Sequence, residues 1–222
     1  MPTKPAFMSF AEQRASAYRR LLFSGLGLLA LFALYAVILL TRSTSAPNLP
    51  VLKTLGSMDL VDQEGQSVDL QTFRGKPWFA NIIFTRCPGP CARMTQTMRQ
   101  LQEGIQAGSL DASLVSLSTD PEFDTPEVLS QYARKFKADT ASWHFLTGSK
   151  EEIIRMATEE WLLVLQEKDE TQRDSPNDIF LHSTLTVLID GLGRIRGSYE
   201  LLEEGEVEAA LMDLRQLHDE AS

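Results

Sequence analysis

The hydrophobic positions of this chain fall into one long run and a series of short ones. Leu21–Leu40, LLFSGLGLLALFALYAVILL, is twenty residues without a charge. At about 1.5 Å per residue, such a helix spans the roughly 30 Å hydrocarbon core of a bilayer. Beyond residue 50 the apolar runs shorten to strand length and alternate with helical periodicity. Trp78–Phe84, WFANIIF, is rich in aromatic and β-branched residues and suits a strand buried on both faces. From Cys91, the spacing of Met94, Met98, Leu101 and Ile105 is that of one helix face. Shorter apolar clusters predict strands within Asp111–Ser118 and over Trp143–Leu146, Thr184–Ile189 and Ile195–Tyr199.

The polar punctuation sets the connections. Asp62–Gly65 separates two short runs, Ser57–Val61 and Ser67–Leu70, which reads as a hairpin. Thr125 and Pro126 cap and open a helix reaching about Lys137, and Ser149 with Glu152 forms a capping box for a helix to about Glu160. Trp161–Leu165 reads as an extra strand, and Gln166–Asp178 as a polar loop long enough for a lid or an insertion. Asp190–Gly193 is a turn, and Glu206–His218 closes the chain as an amphipathic helix. Strands alternating with helices, then a hairpin and a helix, describe an α/β sandwich.

Charge orients the long run. Lys4, Arg14, Arg19 and Arg20 precede it and only Arg42 follows closely, so residues 1–20 stay on the cytoplasmic or matrix side. The reading is a flank over 1–20, a membrane anchor over 21–40, a tether over 41–54 and a folded domain over 55–222. The alternative is a cleaved signal peptide ending at the small residues Thr44, Ser45 and Ala46, although the apolar run exceeds the usual length and Pro47 follows. Beyond residue 42, 16 of the 21 basic and 29 of the 30 acidic residues remain, a net charge of −13. That balance argues against nucleic acid as a partner; plain solubility accounts for it, and it also suits a basic partner or a cation.

Candidate chemistry centres on the only two cysteines, Cys87 and Cys91. The run Thr85–Pro90 ends the strand, so Cys87 lies in a loop and Cys91 in the first helical turn. A helix N-terminus, with Arg86 and Arg93 nearby, favours thiolates. The pair can hold one soft metal ion or close into a disulfide, and spacing alone does not choose. A third donor is sought among three histidines. His144, at a strand start, and His218, near the end of the last helix, suit structural or solvated roles. His182 sits in a loop just before a core strand, from which it can reach the end of the strand leading to Cys87. Two thiolates and one imidazole suit Cu(I), and Cu(II) with an added oxygen; structural zinc wants a fourth protein ligand.

Four motifs then coincide in order and spacing: FTRCPGPC over Phe84–Cys91 followed by Met94, STDPEFDTPEVLSQY over Ser118–Tyr132, WHFLTG over Trp143–Gly148, and HSTLTVLIDGLGRIRGSY over His182–Tyr199. Over about residues 55–220 the chain resembles the Sco/SenC family. The resemblance implies a thioredoxin-like sandwich preceded by one transmembrane helix, copper held by Cys87, Cys91 and His182, and a role in assembling the dinuclear copper centre of cytochrome c oxidase, subunit II being the acceptor. It also implies a bacterial inner membrane with the domain in the periplasm, or a mitochondrial inner membrane facing the intermembrane space. Asp120 falls in the matching acidic loop, as a group behind the ligands. Ala92 and the segment Trp161–Asp178 depart from the family pattern.

Two enzymatic alternatives accompany the copper reading. A dedicated thiol:disulfide oxidoreductase would use Cys87 to attack and Cys91 to resolve, keeping the cysteines of a copper-accepting protein reduced. Against it stand the three-residue spacing and the lack of a proline just before Thr184. Peroxide removal would need a thiol activated by arginine, for which Arg86 is the candidate.

Overall fold

The computed structural model describes residues 27, 31–36, 48–177 and 179–221, in two compact units divided after Pro47. Of the expected membrane-spanning run, Gly27 and residues 31–36 are helical, with Leu31, Phe32, Leu34 and Tyr35 exposed; the remainder lies outside the described residues. No helix among the described residues is long and apolar enough to cross a membrane.

The larger unit is built on a six-stranded sheet. Its strands are β1 (Lys53–Thr54), β4 (Trp78–Ile83), β5 (Ser113–Ser118), β6 (Trp143–Leu146), β9 (Thr186–Ile189) and β10 (Arg194–Tyr199), in the spatial order β1-β10-β9-β4-β5-β6. β4, β5 and β6 run parallel, whereas β9 is antiparallel to β4 and β10 is antiparallel to β9. The hairpin expected near the start is present as β2 (Leu60–Val61) and β3 (Ser67–Val68). Four helices complete the unit: α1 (Cys91–Ala107), α2 (Pro126–Lys135), α3 (Lys150–Ile154) and α4 (Glu206–Ala221).

β4 is the central strand, and each of its six residues is buried. Its side chains alternate between two cores, as the pleat requires. Phe79 and Ile83 pack with Met98 and Leu101 of α1 and Ala210 and Leu214 of α4. Trp78, Ala80 and Ile82 face Leu60, Val68, Met156 and Trp161. There Trp78 stacks on Phe73 at 4.8 Å and meets Trp161 edge-on at 6.0 Å. At about 1.5–3 kcal/mol for each large apolar side chain removed from water, these two layers carry the fold without covalent staples.

Three expectations are corrected. Ser149 Oγ accepts from the Glu152 N–H at 3.2 Å, but Glu152 does not complete a capping box. Its carboxylate accepts from the Asp59 N–H and from Arg155 instead. α3 is correspondingly short and widens into a π-helical stretch, Arg155–Glu160, whose ends are tied to the Ser57 carbonyl and the Gly56 N–H. The strand expected over Trp161–Leu165 is displaced to β7 (Leu165–Glu167), because Trp161 is fully buried and Leu162 turns through a left-handed φ of 59°. The polar segment after it is no free loop. β7 pairs antiparallel with β8 (Phe180–His182), and Glu170–Gln172 forms a 3-10 turn between them. His182 is therefore on a strand.

The chain enters the unit in an ordered way. Lys53 and Thr54, at the end of the expected tether, pair with Ile195 and Arg194. The buried Arg196 guanidinium donates to the Leu49 carbonyl at 2.6 Å, to Asp190 at 3.0 Å and to Glu220 at 2.6 Å.

Candidate metal centre

The site forms where β4 ends. Cys87 N–H donates to the Phe84 carbonyl at 3.2 Å, folding the strand end into a tight turn. Pro90 opens α1, the Met94 N–H reaches the Pro90 carbonyl at 2.9 Å, and Cys91 is the first helical residue. The acidic loop after β5 clamps this turn from below. The carboxylate of Asp124, which is fully buried, accepts from the Thr85 N–H at 3.0 Å and from the hydroxyls of Thr85 and Ser118. Asp120 accepts from Arg86 Nε at 2.8 Å, and the same guanidinium lies 4.4 Å from the Phe123 ring centroid. Asp120 thus acts on the loop and touches none of the three candidate ligands. Asp124 is the residue that sequence reasoning missed; its only signal was membership of an acid-rich loop.

The two thiols are free and unlike. Cys87 is half-buried and its pKa is lowered to about 4, first by the hydrogen bond with Cys91, then by His182 and the N–H groups of Cys91 and Gly89, with burial opposing. The Gly89 N–H donates to Cys87 Sγ at 3.3 Å. Cys91 is buried, and the hydrogen bond with Cys87, desolvation and the neighbouring charge push its thiol up. A single thiolate shared between two sulfurs accounts for both directions. Below Cys91, Thr95 donates to the Cys91 carbonyl at 2.8 Å and meets the Tyr132 hydroxyl at 2.8 Å, fixing the first turn of α1. Of the two arginines near the pair, Arg86 is turned to Asp120 and Phe123.

His182 closes the site. Its side chain packs edge-on against Phe84 at 5.7 Å, next to Phe180, which does the same at 5.5 Å. Nδ1 lies 2.9 Å from the Ser183 carbonyl oxygen, and Nε2 lies 3.2 Å from Cys91 Sγ. A carbonyl only accepts, so Nδ1 carries a proton; when Nε2 is unprotonated it presents the lone pair that a metal takes. The ligand atoms of Cys87, Cys91 and His182 all lie within 4.8 Å of one another. Bonds of about 2.0–2.3 Å to a common ion place donors about 3.5–4 Å apart, so small side-chain rotations suffice to converge them. Among the described residues no other group of three such side chains exists. His144 is on β6, edge-on to Phe73 at 5.4 Å, where burial lowers its pKa. His218 is on α4 and lines a different cavity with Leu217 and Glu220.

The family model SCO1/SenC matches residues 49–218. A relative described as "SCO1 protein homolog", from Bacillus subtilis (strain 168), is 28% identical over 155 residues, covering 69% of this chain and 77% of the relative. A "putative copper-binding protein" of Stutzerimonas stutzeri is 30% identical over 106 residues, covering 47% of this chain and 50% of the relative. The crystal structure of a SCO1/SenC family lipoprotein from Bacillus anthracis superposes with a TM-score of 0.70 at 29% identity, covering 78% of this chain and 99% of that one. The fold is accordingly the thioredoxin-like α/β fold of those structures. With the family model spanning the sheet, the cysteine turn and the strand of His182, the chain belongs to the SCO1/SenC family.

Proposed function

We propose that this protein binds one copper ion through Cys87, Cys91 and His182 and delivers it to a copper-accepting protein. The observation that carries the reading is the convergence of two sulfurs and a ring nitrogen of His182 within 4.8 Å of one another. Two thiolates and an imidazole form a soft, low-coordinate donor set that suits Cu(I) better than zinc, which wants four ligands. The Ser183 carbonyl accepts from Nδ1 and so orients the ring with Nε2 toward the sulfurs.

Metal loading and thiol redox state share the same atoms. Closing the Cys87–Cys91 disulfide hands two electrons to an oxidant such as a partner disulfide, which is reduced to the dithiol, and removes two of the three donors. Membership of the family supports cytochrome c oxidase as the acceptor, with subunit II as the chain that takes the metal. In the same reading residues 21–40 anchor the protein in a bacterial inner membrane, residues 1–20 stay in the cytoplasm, and the unit beyond the tether works in the periplasm; a mitochondrial inner membrane is the alternative setting.

The asymmetry of the thiols favours a second reading, a dedicated thiol:disulfide oxidoreductase. The lower-pKa, half-buried Cys87 would attack a partner disulfide, and buried Cys91 would resolve the mixed disulfide. Copper titration of the reduced full chain separates the two. Delivery predicts one copper per chain with thiolate-to-copper charge transfer, lost in Cys87→Ser and His182→Ala, while His182→Ala still forms the disulfide. Copper affinity unchanged by His182→Ala contradicts the assignment, and turnover of a partner disulfide without copper binding favours the reductase.

A further inference from the structure

The hairpin that carries His182 ends in an unpaired strand edge. β8 pairs with β7 alone, and no strand among the described residues lies on its other side. The register fixes which main-chain groups face outward. Ser183 N–H donates to the Val164 carbonyl at 2.8 Å, and Lys168 N–H to the Ile179 carbonyl at 2.8 Å. Hydrogen-bonded pairs alternate along an antiparallel ladder, so the N–H and C=O groups of Phe180 and His182 point away from β7.

β8 and the cysteine loop line a common cavity of about 400 Å³, to which the hairpin also contributes Lys168, Asp174 and Ser175. Residues 87–90 of the loop offer the edge no free N–H: both prolines lack one, Gly89 N–H is committed to Cys87 Sγ, and Cys87 N–H to the Phe84 carbonyl. Leu181 is 53% exposed and projects from the opposite face of β8 to Phe180 and His182, leaving an apolar side chain for an incoming strand to cover.

We infer that the free edge of β8 receives an extended, cysteine-bearing segment of the copper-accepting partner as a third strand, which lays the partner's sulfur beside Cys87 and His182. The edge supplies main-chain hydrogen bonds and hence an extended backbone; the wall formed by Cys87 supplies the reason for a soft donor on the segment. The net charge of −13 over residues 43–222 favours neutral or basic flanks on that segment over acidic ones. The inference rests on the copper-delivery reading for the identity of the partner, and on the strand register alone for the mode of docking.

The test uses the reduced, copper-free full chain and a labelled heptapeptide with a central cysteine, threonine and valine neighbours and terminal lysines. Copies N-methylated at the odd or the even positions lose donors from opposite edges of the peptide strand. Strand addition predicts that one set binds at least about tenfold more weakly and the other within about twofold of the parent, and that Leu181→Asp also weakens the parent peptide. Equal loss in both sets, binding untouched by Leu181→Asp, or no binding overturns it. Copper stoichiometry of the same preparations is read separately. A chain that takes no copper yet shows the odd–even pattern upholds strand docking while removing the delivery reading.

Discussion

Cys87 and Cys91 are four positions apart and have opposite surroundings. Cys87 accepts hydrogen bonds at the loop surface, whereas Cys91 is enclosed above Thr95 and Tyr132. With the Cys87 pKa lowered to about 4, its thiolate persists across the neutral range. The alkylation rate of metal-free, reduced chain by iodoacetamide, followed at Cys87 by peptide mass spectrometry, should change less than about twofold between pH 8 and pH 6. An ordinary thiol near pKa 8.5 slows about 70–80-fold over that interval, and such a fall at Cys87 would refute the shared-thiolate description. The cysteine pair and His182 were legible because their residue types are scarce here. Loop and helix positions told which thiol is the more exposed; that the two pKa values move in opposite directions was not legible, since helix position and nearby arginines suggest a general activation that burial and the turn of Arg86 toward Asp120 redirect.

The turn that presents Cys87 depends on the acidic loop after β5. Asp124 ties Thr85 to Ser118 across that loop, and burial raises its pKa. Asp124→Ala leaves the Thr85 N–H without its acceptor and should cost about 1–3 kcal/mol in urea unfolding. A carboxyl whose folded pKa exceeds its unfolded value contributes stability fully present below the unfolded value and lost as pH rises through the folded one. The advantage of wild type over Asp124→Ala should therefore be larger near pH 4 than at pH 7; the reverse order would show that burial does not raise the carboxyl's pKa. At this scale the sequence was most readable for β4, α1 and β9, whose apolar spacing is long enough to define a period. It was least readable for β7 and β8, three residues each, separated by a polar turn and held by register rather than by their own pattern.

The whole molecule joins a strongly acidic unit, net −13 over residues 43–222, to the uncharged run Leu21–Leu40. Arg196 secures the entry to the unit by bonding Leu49, Asp190 and Glu220. An anchored topology predicts that full chain resists carbonate extraction from membranes and that protease added outside spheroplasts digests residues 48–222 while sparing an N-terminal fragment. Extraction into the supernatant would contradict the anchor. The central claim concerns the three ligands, and copper K-edge X-ray absorption on the reduced, Cu(I)-loaded full chain tests it most directly. The account predicts a shell of two sulfurs and one nitrogen, with the nitrogen lost in His182→Ala. A sulfur-only shell, or a nitrogen that survives that substitution, would contradict it.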